Sequence, residues 1–493
     1  MQNTQPMSSE DRNFFSLVAD AIYLNPFEEK RSQTLKKIEP EIQLDPISNI
    51  FRIRDIADSL NQRIEKLEAK GLKSLQDFQE TDRTIMLFVF LLQIYIRFES
   101  EMNRLIQEQS RQGAESLKVQ FAPEWLSQMK KRGYTAKESV LYFELANQMH
   151  RAFFFITQEL QGNSISMQRL RIALWNNIFT CDVLTYVQHL WNRMEDFSTL
   201  LLGETGTGKG SAAIAIGRSA WIPFDSKTNK FRFSFMETFS NINLSQFPES
   251  LIESELFGHK KGSFTGATSD YKGVFECCSP HGALFLDEIG EVSVPVQIKL
   301  LKVLQDRVFT PVGSYIPKRF EGRVIAATNL SIENLLGKNH FREDFFYRLC
   351  SELITVPPLC QRIKENPEEL NLLVGLLTER ITGEKEPKLA GTILEILDRD
   401  LPPNYSWPGN VRELEQAIRR IILNRSYSGK LWEPKMGIEE QLIEGIKAGS
   451  LNADDLLGYY CALLYQRFGK FEDVAKYTEL NWRTAKKYIQ SKL

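Results

Sequence analysis

Thr199-Leu200-Leu201-Leu202-Gly203-Glu204-Thr205-Gly206-Thr207-Gly208-Lys209-Gly210-Ser211 is the stretch that decides the fold. A short apolar strand runs into GETGTGKGS, which has the GxxxxGK spacing, and a helical segment, Ser211–Ser219, follows. Strand, glycine loop and helix in that order make a phosphate-binding loop. The glycines let backbone N–H groups converge on phosphate oxygens. Lys209 adds a cation, and the helix N-terminus adds positive potential. The candidate nucleotide-binding residues are therefore Gly203, Glu204, Thr205, Gly206, Thr207, Gly208, Lys209, Gly210 and Ser211. One position departs from the motif. Gly210 stands where a magnesium-holding Ser or Thr is usual, and Ser211 comes one place late. Either the metal relies more on acidic residues elsewhere, or the nucleotide is held less tightly.

Outward from the loop, Ser198–Leu202, Ala283–Leu286 and Arg323–Ala327 are short apolar runs alternating with helical patterns. That alternation predicts a parallel sheet covered on both faces. Ligands of such sheets sit at the carboxyl ends of the strands. Asp287 and Glu288 follow the second run directly. An acidic pair there can be a plain helix cap. Downstream of a phosphate loop, one carboxylate can hold Mg²⁺ and the other can orient the attacking water. Asp287 is assigned to the metal and Glu288 to the water. Thr328 and Asn329 end the third run and are candidate sensors of the terminal phosphate.

The chain of 493 residues is long enough for about three domains. A net charge of -2 excludes a protein that coats nucleic acid along its length. The cysteines, at 181, 277, 278, 350, 360 and 461, form no CxxC pair and read as thiols of a reduced cytoplasmic protein. The N-terminus lacks the basic-then-apolar pattern of a signal peptide. The most apolar run, Ile85–Ile96, is shorter than the ~20 residues a bilayer needs, so no membrane partner is expected. Residues 1–165 are expected to be a helical region, with apolar spacing through Ile85–Phe98 and Val140–Phe155 and breaks at Gln112-Gly113 and Gly162-Asn163. No residue there declares a ligand. The α/β core is expected at 166–355, and a further helical stretch at 356–430. It has a helix start at Asn366-Pro367-Glu368-Glu369, and Asn410 placed to cap Val411–Leu423. A small helical tail occupies 451–493.

Between the nucleotide motifs lies ESELFGHKKGSFTGA, Glu253–Ala267. Here the sequence resembles the bacterial enhancer-binding proteins, the AAA+ activators of sigma-54 RNA polymerase, whose GAFTGA loop stands in this chain as GSFTGA. The resemblance covers roughly 165–425. It runs in the family's order through the phosphate loop, ESELFGH, GSFTGA, LFLDEIGE, VIAATN, FREDFFYRL and WPGNVREL. It implies a P-loop AAA+ ATPase, with a parallel sheet between helices on both faces and a helical lid. It also implies ATP and Mg²⁺ as ligands, a ring oligomer (a hexamer in the family), and ATP hydrolysis spent on opening the sigma-54 polymerase closed complex. Phe264 and Thr265 would be the tip that touches sigma-54, with Ser263 in place of the family's Ala. Arg342 and Arg348 match arginines inserted into a neighbour's nucleotide site, Arg412 a lid arginine, and Asn243 an asparagine that couples the catalytic Glu to the pore loop. The stretch Trp221–Phe239 is longer than the family's and unaccounted for.

Phe471–Ile489 resembles a helix-turn-helix, one helix ending near Tyr477 and the next starting at Asn481 or Trp482. Val474, Ala475, Leu480, Ala485 and Ile489 would form its core. Arg483, Thr484, Lys486 and Lys487 would then face outward as candidate contacts to double-stranded DNA. The same stretch is also readable as a basic terminal helix that packs on the body. Two further readings stand beside the activator. One is a nucleotide- and DNA-binding repressor or scaffold that does not remodel sigma-54, supported by Gly210 and Ser263. The other is a different AAA+ machine, against which the Phe-Thr tip argues.

Overall fold

The computed structural model describes residues 6–42, 53–337, 341–429 and 438–492. Up to Arg425 the chain is one compact unit, and Ser426–Leu493 is a second.

The first unit is built on a five-stranded parallel sheet of β1 (Thr199–Leu202), β4 (Phe239–Asn243), β5 (Ala283–Asp287), β8 (Arg323–Thr328) and β9 (Glu352–Thr355), in the order β4-β5-β8-β1-β9. Two short hairpins, β2–β3 (Phe224–Asp225, Lys230–Phe231) and β6–β7 (Val308–Phe309, Lys318–Arg319), stand apart from it. Side chains alternate across the sheet as the strand pleat dictates. Leu200, Leu284, Leu286, Val324 and Ala326 enter one core, and Leu201, Phe285, Ile325 and Ala327 enter the other. A strand buried on both faces must be apolar at every position, which is why these segments read as continuous runs. β4 and β9 lie at the sheet's edges and keep polar residues, so their sequences carry no such run.

The longer helices before the sheet, among the described residues, are α1 (Ser9–Tyr23), α2 (Glu29–Ile38), α3 (Ala57–Ala69), α4 (Glu80–Gln112), α5 (Ala122–Lys131), α6 (Ala136–Glu159) and α7 (Ile165–Phe179). They are not a separate body. Ala152, Phe155 and Ile156 of α6 and Leu170, Leu174, Trp175 and Ile178 of α7 share a core with Leu201 and Ile325 of the sheet. The second core, toward the N-terminus, gathers α1 to α6 around Phe15, Phe78, Phe90, Trp125 and Phe143.

The β2–β3 hairpin accounts for the long stretch Trp221–Phe239. Asp225 accepts Lys227 N and Thr228 Oγ1, and Asn229 takes the left-handed conformation that turns the chain. Phe224 and Phe231 then enter the N-terminal core, with Phe224 4.7 Å from Phe143 between ring centroids. Val119 N donates to Asn229 O at 2.8 Å, Ser116 Oγ to Phe231 O at 2.6 Å, and Phe224 N to Glu144 Oε1 at 2.6 Å. The insertion is a strap from the sheet into the helical region.

After the phosphate loop come α8 (Lys209–Gly217), α9 (Glu249–Phe257), α10 (Val294–Asp306) and α11 (Glu343–Leu349). The lid follows: α12 (Leu359–Glu365), α13 (Glu368–Thr382), α14 (Pro387–Asp400) and α15 (Asn410–Asn424). On α15, Leu414, Ala417, Ile418 and Ile421 are buried at helical spacing.

The second unit contains α16 (Ile438–Ala448), α17 (Ala453–Phe468), α18 (Phe471–Thr478) and α19 (Trp482–Gln490). Val474, Ala475, Ala485 and Ile489 pack with Cys461 and Leu464 of α17, and Leu480 lies against them. Among the described residues, no helix is long and apolar enough to cross a membrane.

Candidate functional site

The phosphate loop leaves β1, an inner strand between β8 and β9. Gly206 has φ 82°, and a Cβ there would lie 2.3 Å from the carbonyl oxygen of Gly409 in the lid. Only glycine permits that approach. α8 starts at Lys209, preceded by Gly208 with no capping side chain, so its first N–H groups stay available to an anion. Lys209 is buried, and its Nζ donates to Gly203 O at 2.7 Å and Glu204 O at 3.1 Å. Burial lowers its pKa, while Glu288 and Asp287 act to raise it.

Asp287 ends β5, and Glu288 sits just beyond it in the left-handed region at φ 56°. Burial raises the pKa of the Glu288 carboxyl, the neighbouring Asp287 adds to this, and Lys209 opposes it. Asn329 N–H donates to Glu288, and Asn329 Nδ2 reaches Thr205 Oγ1 at 3.5 Å. Thr328 is fully buried and its hydroxyl accepts from Leu330 N, so of the two sensor candidates Asn329 is the one that reaches the loop. Asn243 Nδ2 donates to Asp287 Oδ2 at 3.4 Å, so its contact is with the metal candidate.

Ser211 departs from its expected place. Its hydroxyl bonds Glu159 at the end of α6. Asn410 also departs, and here sequence reasoning missed a residue. The N-cap of α15 is Gly409, whose N–H is accepted by Glu413 Oε2 at 2.7 Å. Fully buried Asn410 instead donates to Glu204 Oε2 at 3.0 Å and Thr205 O at 3.1 Å, and accepts Leu359 N at 2.7 Å. It stitches lid to phosphate loop. Its neighbour Arg412 lies over Gly206 and acts electrostatically on Lys209. The competing cap reading of Trp407-Pro408-Gly409-Asn410 hid this role.

The two arginine candidates differ. Arg342 is exposed and pairs with Asp344 at 2.6 Å. Arg348 turns inward, donating through Nε and Nη2 to Leu304 O of α10.

The Glu253–Ala267 segment forms α9 and then a loop closed by Gly262 N to Ala267 O and Ala267 N to Phe264 O. Phe264 is 38% exposed at its tip, edge-on to His259. Lys260 and Asp270 bridge the loop's base at 2.5 Å. Ser263 packs against Gly313 of the β6–β7 hairpin, and its hydroxyl is buried without a hydrogen-bond partner. That hairpin, whose tip exposes Tyr315 and Ile316, was not singled out from sequence. It braces the loop through Val312 N to Gly258 O and Lys260 N to Val312 O.

In the second unit, Arg483, Thr484 and Lys487 are exposed on α19, while Lys486 lies over the Phe471 ring at 5.6 Å.

A parallel sheet of this order, with a glycine loop after β1 and an acidic pair at the end of β5, one strand removed across β8, defines a P-loop AAA+ domain. Residues 180–355 match the family described as the Sigma-54 interaction domain. The chain is 37% identical over 229 residues to the Escherichia coli (strain K12) regulatory protein AtoC, covering 46% of each. It is 41% identical over 235 residues to the Nif-specific regulatory protein of Azotobacter vinelandii, covering 47% of this chain and 40% of that one. The matches thus span less than half the length of these relatives. Among solved structures, NtrX from Brucella abortus in complex with ADP aligns at 21% identity and TM-score 0.40, over 75% of this chain and 80% of that one.

Proposed function

We propose that the chain is a DNA-binding ATPase that remodels the sigma-54 RNA polymerase closed complex. The observation that carries this reading is the gathering of Lys209, Asp287, Glu288 and Asn329 beside the free start of α8, in a domain that also displays the Phe264 loop. A polyphosphate fits this cradle. The first N–H groups of α8 carry no side-chain cap, Lys209 is buried beside them, and a Cβ at Gly206 would collide with the lid that closes over the loop. Magnesium, when bound, would supply charge neutralisation, with Asp287 the residue to hold it. Lys209 binds the outer phosphates. Glu288, held above the usual carboxylate range, orients and takes a proton from the attacking water. Arg342, on the surface, would reach a neighbouring subunit's nucleotide in a ring, and Arg412 the nucleotide of its own. Asn243 and Asp287 connect the acidic pair to α9 and so to the Phe264–Thr265 tip that presses on sigma-54. Arg483, Thr484, Lys486 and Lys487 dock the second unit on duplex DNA.

A second reading, a nucleotide-bound scaffold on DNA, is favoured by the engagement of Ser211 with Glu159 and by Gly210. Turnover separates the two. Glu288→Gln should lower ATP hydrolysis by about 10²-fold or more while ATP binding persists. Thr265→Ala should abolish promoter opening in a reconstituted transcription reaction with hydrolysis retained. Unchanged turnover in Glu288→Gln would sink the assignment of Glu288, and ATP binding with no turnover in the unsubstituted chain would leave the scaffold.

A further inference from the structure

A cavity of about 890 Å³ lies inside the helical region, enclosed by α1, α4, α6, α7 and the turn at residues 183–188. Ligand pockets for drug-sized molecules run ~300–1,000 Å³. Its walls are largely aromatic, among them Tyr23, Phe88, Tyr142, Phe153 and Trp175. One end is polar and built. Buried His150 bonds Tyr95 Oη through Nδ1 at 2.8 Å and Asn103 Oδ1 through Nε2 at 3.1 Å. Burial drops the imidazole pKa to about 4, so the ring is neutral at physiological pH. The charged wall residues balance, Arg31 and Arg54 against Asp20 and Glu99, with Arg54 and Glu99 4.0 Å apart. Nothing there selects an ion of either sign. Among the described residues the buried Tyr23 hydroxyl has no hydrogen-bond partner, a state that costs ~1–3 kcal/mol and that a ligand's polar atom would relieve.

The same helix that lines the cavity grips the ATPase. Tyr142, Ala146, Met149, His150 and Phe153 place one stripe of α6 on the cavity. The other side meets the segment after the phosphate loop. Gln148 Nε2 donates to Ser219 O at 2.9 Å, Arg151 Nη2 donates to Ala220 O at 2.7 Å, and Glu159 meets Arg218 and the Ser211 hydroxyl. A packed helix moves as a unit, because close-packed interiors transmit small displacements rather than absorb them.

We propose that this cavity binds an uncharged amphipathic small molecule, with an aromatic or alicyclic body and one hydrogen-bonding group, and that α6 carries its occupancy to the phosphate-loop helix α8. The second half rests on the ATPase reading above; the binding site does not. The test uses the full chain and N-phenyl-1-naphthylamine, a neutral aromatic fluorophore. Its fluorescence should rise saturably with one molecule per chain and quench tryptophan emission, with the quench reduced in Trp175→Phe. Met149→Trp, which fills the cavity, should weaken binding at least tenfold. Ala146→Phe serves as a second filling variant, and circular dichroism checks both for folding. Non-saturable binding, or affinity unchanged in folded filling variants, overturns the site. The dye should also change ATP turnover at least twofold in the unsubstituted chain and not in the filled one. Bound dye with unchanged turnover overturns the relay. A chain that never hydrolyses ATP is a failure of the ATPase reading, and the titration still decides the cavity.

Discussion

A Cβ built on Gly210 meets no atom within 4 Å, although the residue stands in the first turn of α8 beside Lys209. Neither φ nor crowding demands glycine there. The hydroxyl one place later, on Ser211, is engaged by Glu159. The first turn of α8 therefore offers magnesium no hydroxyl at the position next to the lysine. Gly210→Ser restores one, and it raises helix propensity by about 0.5 kcal/mol. The expected outcome is nucleotide binding several-fold tighter with Mg²⁺ and little changed with EDTA, read by titration calorimetry. An equal gain in both conditions would mean that the serine acts through the helix alone, and the metal argument would be lost. Ser263 is a contrasting departure. It alters the loop beside Phe264 by burying an unpartnered hydroxyl against Gly313, not by changing the exposed tip.

Among elements, the β2–β3 strap is the least readable from sequence and the most consequential. Its strands are two residues each, too short for periodicity, and what holds them is contact with α6 and the 113–119 turn. The inner strands were legible because burial on both faces forces them to be apolar throughout. The edge strands β4 and β9 were not, because an edge tolerates polar residues. The loop and acid-pair residues were legible from spacing. The contact of Asn410 with Glu204 and Thr205 was not, because it joins residues some two hundred positions apart. The strap also carries a titration. Burial raises the pKa of Glu144 from 4.5 to about 7, against the opposing pull of Phe224 N–H and Arg232. A carboxyl that holds its proton more tightly when folded adds stability at low pH and withdraws it as pH rises through that interval. Glu144→Gln keeps an acceptor for Phe224 N–H and removes the charge. Its stability should match the unsubstituted chain near pH 5 and exceed it near pH 8 by about 1 kcal/mol after allowance for solvent screening, read as a higher melting temperature at pH 8. Parallel curves across that range would show that Glu144 ionises freely.

At the scale of the first unit, a buried carboxylate ties the lid to the helical region. Glu369 of α13 is fully buried. It pairs with Arg362 of α12 at 2.7 Å and accepts the backbone N–H of Asn163 and Ser164, where the chain passes from α6 to α7. Arg362 donates in turn to Gln161 O, and Arg171 of α7 to Leu160 O. The turn fits only because Gly162, at φ 141°, has no Cβ; one would lie 2.2 Å from Glu369 Oε1. Lid and helical region therefore share this buried ionic centre, and α6 leads from it to the cavity. Removing one member of a buried pair strands the other, at a cost of about 3–5 kcal/mol. Glu369→Ala should lower the melting temperature of the whole first unit in one transition, because α6 and α7 share the core of the sheet. The same substitution frees the lid, so nucleotide affinity should fall along with stability. Scanning calorimetry with and without ATP checks both. A variant in which the helical region melts separately while the ATPase transition stays in place would show that the junction is a local clasp, and that lid and helical region are not tied through it.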